Sequence, residues 1–115
     1  LSFSLKPPTE RANTLELELI ERSTPSSSKY GQGWMTNEEV HEMVNPCDGA
    51  VSSVLAFLHA HGATGESRTP NSDIITADIS ITVAEKMLNA DYRIFEHETT
   101  ETTLVRTVAY HIPAV

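Results

Sequence analysis

Ile74-Ile75-Thr76-Ala77-Asp78-Ile79-Ser80-Ile81, running into Thr82-Val83-Ala84-Glu85-Lys86-Met87-Leu88, carries the fold of this chain. The first part is rich in β-branched residues and predicts a strand from Ile74 to Ile81. Thr82-x-x-Glu85 then has the spacing of a capping box, which opens a short helix through Leu88. Ala84, Met87 and Leu88 share one side of that helix and are predicted to face a sheet. On the N-terminal side, Pro70-Asn71-Ser72-Asp73 is a turn by composition, and Ala63 to Thr69 is a weak strand leading into it. On the C-terminal side, Tyr92 to His97 predicts a strand with Tyr92 and Ile94 on one face and Phe95 on the other. Thr99 to Thr102 is a polar turn, Leu104 to Val108 a closing strand, and Pro113 precedes an open C-terminus.

Upstream, Leu1-Ser2-Phe3-Ser4-Leu5 alternates apolar and polar with period two, as a half-buried strand does, and Pro7-Pro8 ends it. Thr9 caps a predicted helix through Ser23, with Ala12, Leu15, Leu19 and Ile20 on one face and Leu17 off it. A polar loop follows, Ser23-Thr24-Pro25-Ser26-Ser27-Ser28-Lys29-Tyr30-Gly31-Gln32-Gly33-Trp34. Tyr30 is expected to pack inward and Trp34 to lie nearer the surface. Thr36-x-x-Glu39 is a second capping box, for a helix with Val40, Met43 and Val44 inward. Asn45-Pro46 reads as an N-cap with proline at the first helical position and Asp48 at the third. That helix carries Val51, Val54, Leu55 and Leu58 and stops at Gly62. The order, with the N-terminal helices as an insertion, is βαββαβ. It predicts one α+β domain over residues 1–115, a ferredoxin-like antiparallel sheet with helices on one face.

The chain has 16 acidic and 8 basic residues, a formal charge of −8, and no Lys/Arg block. Grip on nucleic acid or an anionic membrane through a basic stripe is therefore not expected. Nothing approaches the roughly 20 apolar residues of a membrane span. The single cysteine, Cys47, excludes an internal disulfide and a Cys-based zinc cluster. The chain opens on Leu1-Ser2-Phe3, without Met or a signal peptide, and reads as a piece of a longer precursor.

The five histidines do not form a recognisable reactive set. His59 and His61 are two apart and so point to different sides of a helix, unlike an i,i+4 metal pair. His41, His97 and His111 are scattered, with pH sensing as the alternative to plain solvation. Glu16/Glu18/Glu21, Glu38-Glu39 and Glu96 to Glu101 read as solvated carboxylate faces. Cys47 has Asp48 beside it and no histidine placed to activate it, so it is a buried or incidental thiol. There is no Gly-rich phosphate loop and no Gly-x-Ser-x-Gly elbow. An enzyme would need these groups clustered; a free-standing ferredoxin-like module binding a protein or small molecule would not.

Several ordered segments resemble the activation prodomain of sedolisins, the acid serine peptidases related to kumamolisin and to tripeptidyl peptidases. They are Ser23-Thr24-Pro25-Ser26-Ser27-Ser28-Lys29-Tyr30-Gly31, Met35-Thr36-Asn37-Glu38-Glu39-Val40, Asn45-Pro46 and Ala56-Phe57-Leu58-His59-Ala60-His61-Gly62. Thr82 to Leu88 with Tyr92, Val105-Arg106-Thr107 and Tyr110-His111-Ile112-Pro113 continue the match. Two positions depart from the family pattern: Ser28 where proline is common, and Trp34 where a smaller or aliphatic residue is usual.

The resemblance implies a ferredoxin-like propeptide that assists folding of a secreted peptidase, inhibits it, and is released by acid-triggered cleavage. The compartment implied is extracellular, or lysosome- or vacuole-like. The Ser-Glu-Asp triad and the calcium site belong to the catalytic domain, expected downstream, so no cofactor, metal ligand or catalytic residue is expected here. The implied partner is the cognate catalytic domain. Peptidase contact or pH sensing is expected of Trp34, His97, Tyr110, His111 and Pro113. Carboxylates paired with basic groups of the enzyme would hold the complex near neutral pH and cease to do so below about pH 4 to 5.

Overall fold

A computed structural model describes residues 1–113; the open C-terminus expected after Pro113 lies outside the described residues. The chain is α+β, in the order β1 (Ser2–Ser4), α1 (Thr9–Ser23), α2 (Asn37–Val44), α3 (Ala50–Ala60), β2 (Thr64–Arg68), β3 (Ile74–Asp78), α4 (Ile81–Leu88), β4 (Arg93–Glu96) and β5 (Thr103–Arg106). Its Cα radius of gyration is 19.5 Å. A compact chain of this length has about 13 Å. Parts of the chain therefore stand away from the core.

The core is built on β3. Alternation along the strand turns Ile75 and Ala77 inward and leaves Ile74 and Asp78 exposed. β1 and β2 flank it, both antiparallel, in the order β1-β3-β2. Leu58 of α3, Met87 and Leu88 of α4, and Leu5 just after β1 close over Ile75 and Ala77. Val51, Val54 and Leu55 of α3 pack around this cluster, as their helical spacing predicts. The end of α3 also follows its sequence. Gly62 takes φ +71 and the next two turns close on it, with Gly62 N–H donating to His59 O and Ala63 N–H to Leu58 O. That is the Schellman pattern, which only a residue at ease in the left-handed region completes without strain.

Three helix starts differ from the sequence reading. α1 has Pro8 at its N-cap, with Thr9 already inside the helix and no side-chain cap. α3 begins at Ala50 rather than at Pro46. Asn45 closes α2, Pro46 is buried, and Gly49 at φ +78 turns the chain into the helix. Asp48 therefore precedes the helix. α4 begins at Ile81, because Ser80 accepts the Val83 N–H and takes the cap from Thr82. Glu85 is thereby moved into the helix body, where it accepts the Tyr92 N–H at 3.0 Å. The capping box of α2 is present as predicted, with both Thr36–Glu39 bonds formed.

The sheet divides differently from the expected single βαββαβ array. β4 pairs with β5, in the register Arg93↔Arg106, Ile94↔Val105, Phe95↔Leu104 and Glu96↔Thr103, and the pair forms a separate two-stranded sheet. α1 and α2 pack on each other, and neither buries a residue. Leu19 and Ile20, expected on a buried stripe, are exposed; Ala12 and Leu15 are half-buried.

Candidate interaction surface

The loop between α1 and α2 is held against α1 by charge. The Lys29 ammonium pairs with Glu18 and, at 2.6 Å, with Glu21, one helical turn apart on α1. Arg22, on the same face, bonds Glu18 at 3.2 Å and donates to Gly33 O at 2.8 Å. Four charged side chains thus fix both ends of the stretch that carries Tyr30 and Trp34. The Lys29 hydrogen bond, reinforced by Arg22, holds the Glu18 carboxyl below its ordinary value of 4.5 against some desolvation. Glu18 and then Glu21 hold the Lys29 ammonium above 10.5.

Both signs widen the same window. A depressed carboxylate contributes above its unfolded value and stops contributing as pH falls through the lower folded one. A raised ammonium contributes until pH climbs through its higher folded value. The Glu18–Lys29 pair should therefore hold from neutral pH down to the ordinary carboxylate value and be lost as pH falls further. Trp34 emission is expected to stay constant on titration to about pH 4.5. Lys29→Met should change it at every pH and should speed proteolytic nicking within Ser26–Ser28 severalfold. Unchanged nicking in that variant would show that the loop is held by something else.

Tyr30 is 53% exposed and Trp34 67%, so the inward packing expected of Tyr30 does not occur. Instead of a core edge, the loop presents two aromatic rings to solvent, and Leu17, Leu19 and Ile20 of α1 are exposed as well.

The second exposed region is the β4–β5 hairpin, in which every strand residue is exposed. Its loop is set by His97, whose Nδ1 accepts the Thr99 and Thr100 N–H groups, each at 3.3 Å. His97 N–H donates to Thr102 O, and Glu101 N–H returns to His97 O at φ +52. At the open end of the hairpin, His111 N–H donates to Leu88 O at 2.6 Å and its ring reaches Asn89 O. Tyr110 and Ile112 border a cavity of about 670 Å³ between β1, Leu88, Tyr92 and β5. Pro113 is exposed beyond it.

Of the five residues expected to contact a partner or sense pH, Tyr110, His111 and Pro113 lie together at the open end of the hairpin. His97 is at its opposite tip, and Trp34 is on the α1–α2 loop. The apolar pairs of the hairpin itself, Ile94–Val105 and Phe95–Leu104, were not singled out. Their signal was in the sequence as strand alternation with apolar residues on both faces.

No cluster of reactive groups emerges among the described residues. None gathers three His, Cys, Asp or Glu side chains able to hold a metal ion. His59 pairs with Glu66 at 3.1 Å, and His61 packs edge-on against Phe57 and bonds its carbonyl. Cys47 is exposed rather than buried. No described helix is long and apolar enough to cross a membrane.

A family profile described as the pro-kumamolisin activation domain matches residues 1–115. The chain belongs to that family. Curated proteins similar to this activation domain are peptidases. Tripeptidyl-peptidase sed1 of Aspergillus fumigatus is 32% identical over 97 residues, covering 83% of this chain and 15% of the relative. Tripeptidyl-peptidase SED4 of Arthroderma otae is 29% identical over 112 residues, 97% of this chain and 18% of the relative. Physarolisin of Physarum polycephalum is 33% identical over 107 residues, 91% and 18%. The activation domain thus spans less than a fifth of these relatives' length, and the sedolisin resemblance read from its segments is the correct one.

Proposed function

We propose that this activation domain is the propeptide of a secreted sedolisin-type tripeptidyl-peptidase, which it helps to fold and keeps inactive until acid-triggered cleavage releases it. The observation that carries this reading is the end-to-end match to an activation domain in a chain that makes up only 15–18% of its peptidase relatives. The geometry supports it: exposed apolar side chains on the α1–α2 loop and the β4–β5 hairpin suit a domain that works by docking. Its partner is the cognate catalytic domain rather than nucleic acid or a membrane, and the calcium site belongs to that domain. The destination is extracellular or an acidic lysosome- or vacuole-like compartment.

The ferredoxin-like topology belongs to the same proposal. The order β1-β3-β2 supplies three strands of a βαββαβ sheet and leaves one edge of β1 without a strand. Val105, Arg106 and Thr107 line the same 670 Å³ cavity as Ser2–Ser4, which supports the reading that the hairpin adds to that edge in the bound form.

Added in trans near neutral pH, the chain is expected to slow the mature cognate peptidase in a saturable way, and the effect should disappear in acid. Full peptidase activity at saturating chain would refute the inhibitory role.

A further inference from the structure

We infer that the β4–β5 face carrying Phe95, Leu104, Arg93 and Arg106 is a docking surface for a carboxylate-bearing apolar patch on the catalytic domain. The inference rests on the propeptide reading and adds to it the place and the chemistry of contact. In an antiparallel ladder, directly opposed residues project to the same side. The register therefore sets Phe95 beside Leu104 and, two positions along, Arg93 beside Arg106 on that one face.

Both pairs are anomalous for a free surface. Phe95 is 44% exposed and Leu104 51%, on a two-stranded sheet, an arrangement that is marginal in water without a third strand or a packing partner. Two guanidinium groups directly opposed across a ladder repel each other. Arg93 is relieved in part by Asp91 at 2.5 Å, whereas Arg106 has no acidic partner among the described residues and donates only to the Val105 carbonyl. In a chain with twice as many acidic as basic residues, Arg106, set beside Arg93 and without an acidic partner of its own among the described residues, is a local positive site.

The occupant that meets both anomalies is an apolar patch edged with Asp or Glu. It covers Phe95 and Leu104 and bridges the two guanidinium groups, which bind carboxylates in a planar, bidentate fashion. A neutral or basic patch would cover the rings and leave the repulsion in place. The opposite end of the hairpin is acidic, with Glu98 and Glu101 in the turn, so the surface also has a polarity that fixes the direction of docking.

The experiment uses the 115-residue chain and the mature peptidase processed from the same precursor. Arg106→Glu turns the repulsive pair into an attractive one, so it should leave the chain's own thermal midpoint unchanged or raised. The same variant should inhibit at least about tenfold more weakly, chiefly through slower association. Arg106→Lys should retain most of the inhibition. Wild-type inhibition should weaken between about 0.05 and 0.5 M salt, where the Debye length falls from roughly 14 to 4 Å, and Arg106→Glu should have lost that dependence. Equal inhibition by wild type and Arg106→Glu overturns the inference and leaves the propeptide reading standing. Absence of inhibition by wild type overturns both.

Discussion

Replacing Ile75 or Leu58 by alanine should come close to unfolding this chain. Ile75 is fully buried and Leu58 is 1% exposed, and they are the two large side chains at the centre of the cluster formed by β3, α3 and α4. Truncating such a residue removes its transfer free energy and leaves a cavity that neighbours refill only partly, a cost of about 2–5 kcal/mol. Collapse has little to draw on here. Among the described residues, the other large buried side chains are Leu5, just after β1, and Met87 and Leu88, neighbours on α4. Native domains hold only about 5–15 kcal/mol in all, and a chain with so small a core belongs near the lower end. Urea unfolding of either variant should show a midpoint reduced by a third or more with the slope m preserved. Leu17→Ala, at a 60% exposed position on α1, should stay within about 0.5 kcal/mol of wild type. A variant at Leu58 that unfolds like Leu17→Ala would mean that the helix α3 does not close this core.

That contrast also explains how much of the molecule was legible in its sequence. Periodicity named the buried face of α3 and of α4, because in each case a single stripe of apolar residues matched the period of the helix; for β3 the β-branched run marked a strand without saying which side faces in. Periodicity named Leu19 and Ile20 of α1 in the same way, and there it failed. Spacing says which residues share a face; whether the chain itself supplies a cover for that face is a tertiary matter. The same gap hid the hairpin. Ile94 and Phe95 alternate as strand residues do, but nothing local says that β4 pairs with β5 rather than with β1. Helix starts were missed for a more local reason. Ser80 competes with Thr82 for one cap, and Gly49 with Asn45, and the choice depends on where the preceding strand or helix stops. The capping box at Thr36 had no rival and was legible. For the interaction surface, the sequence marked the loop, the His97 turn and the C-terminal segment. It did not mark Arg93 and Arg106, thirteen positions apart, because only the ladder register brings them together.

The other large effect is expected at Gly65, in the irregular part of β2. Between Thr64, paired with Asp78, and Ser67, paired with Thr76, the register slips, and Gly65 absorbs the slip at φ +61. A Cβ built there would stand 2.4 Å from Asp78 Oδ2 and 3.2 Å from its Cγ. Two separate costs follow for Gly65→Ala. The left-handed backbone costs a non-glycine residue roughly 1–2 kcal/mol, and nothing nearby can relieve it. The steric cost falls on an exposed carboxylate that can rotate away, so it is smaller and removable. Together they should destabilise by about 2 kcal/mol. Asp78→Ala alone should be nearly neutral, since that side chain is exposed at the sheet margin. In Gly65→Ala/Asp78→Ala the steric part vanishes while the backbone part stays, so the double variant should recover some tenths of a kcal/mol and no more. Full recovery would place the whole cost in the contact with Asp78 and none in the turn of the backbone. No recovery would mean that Asp78 had already moved. The intermediate result is the one a glycine-dependent bulge requires, and it would show that the register of β2 against β3 depends on this residue's freedom to take a positive φ.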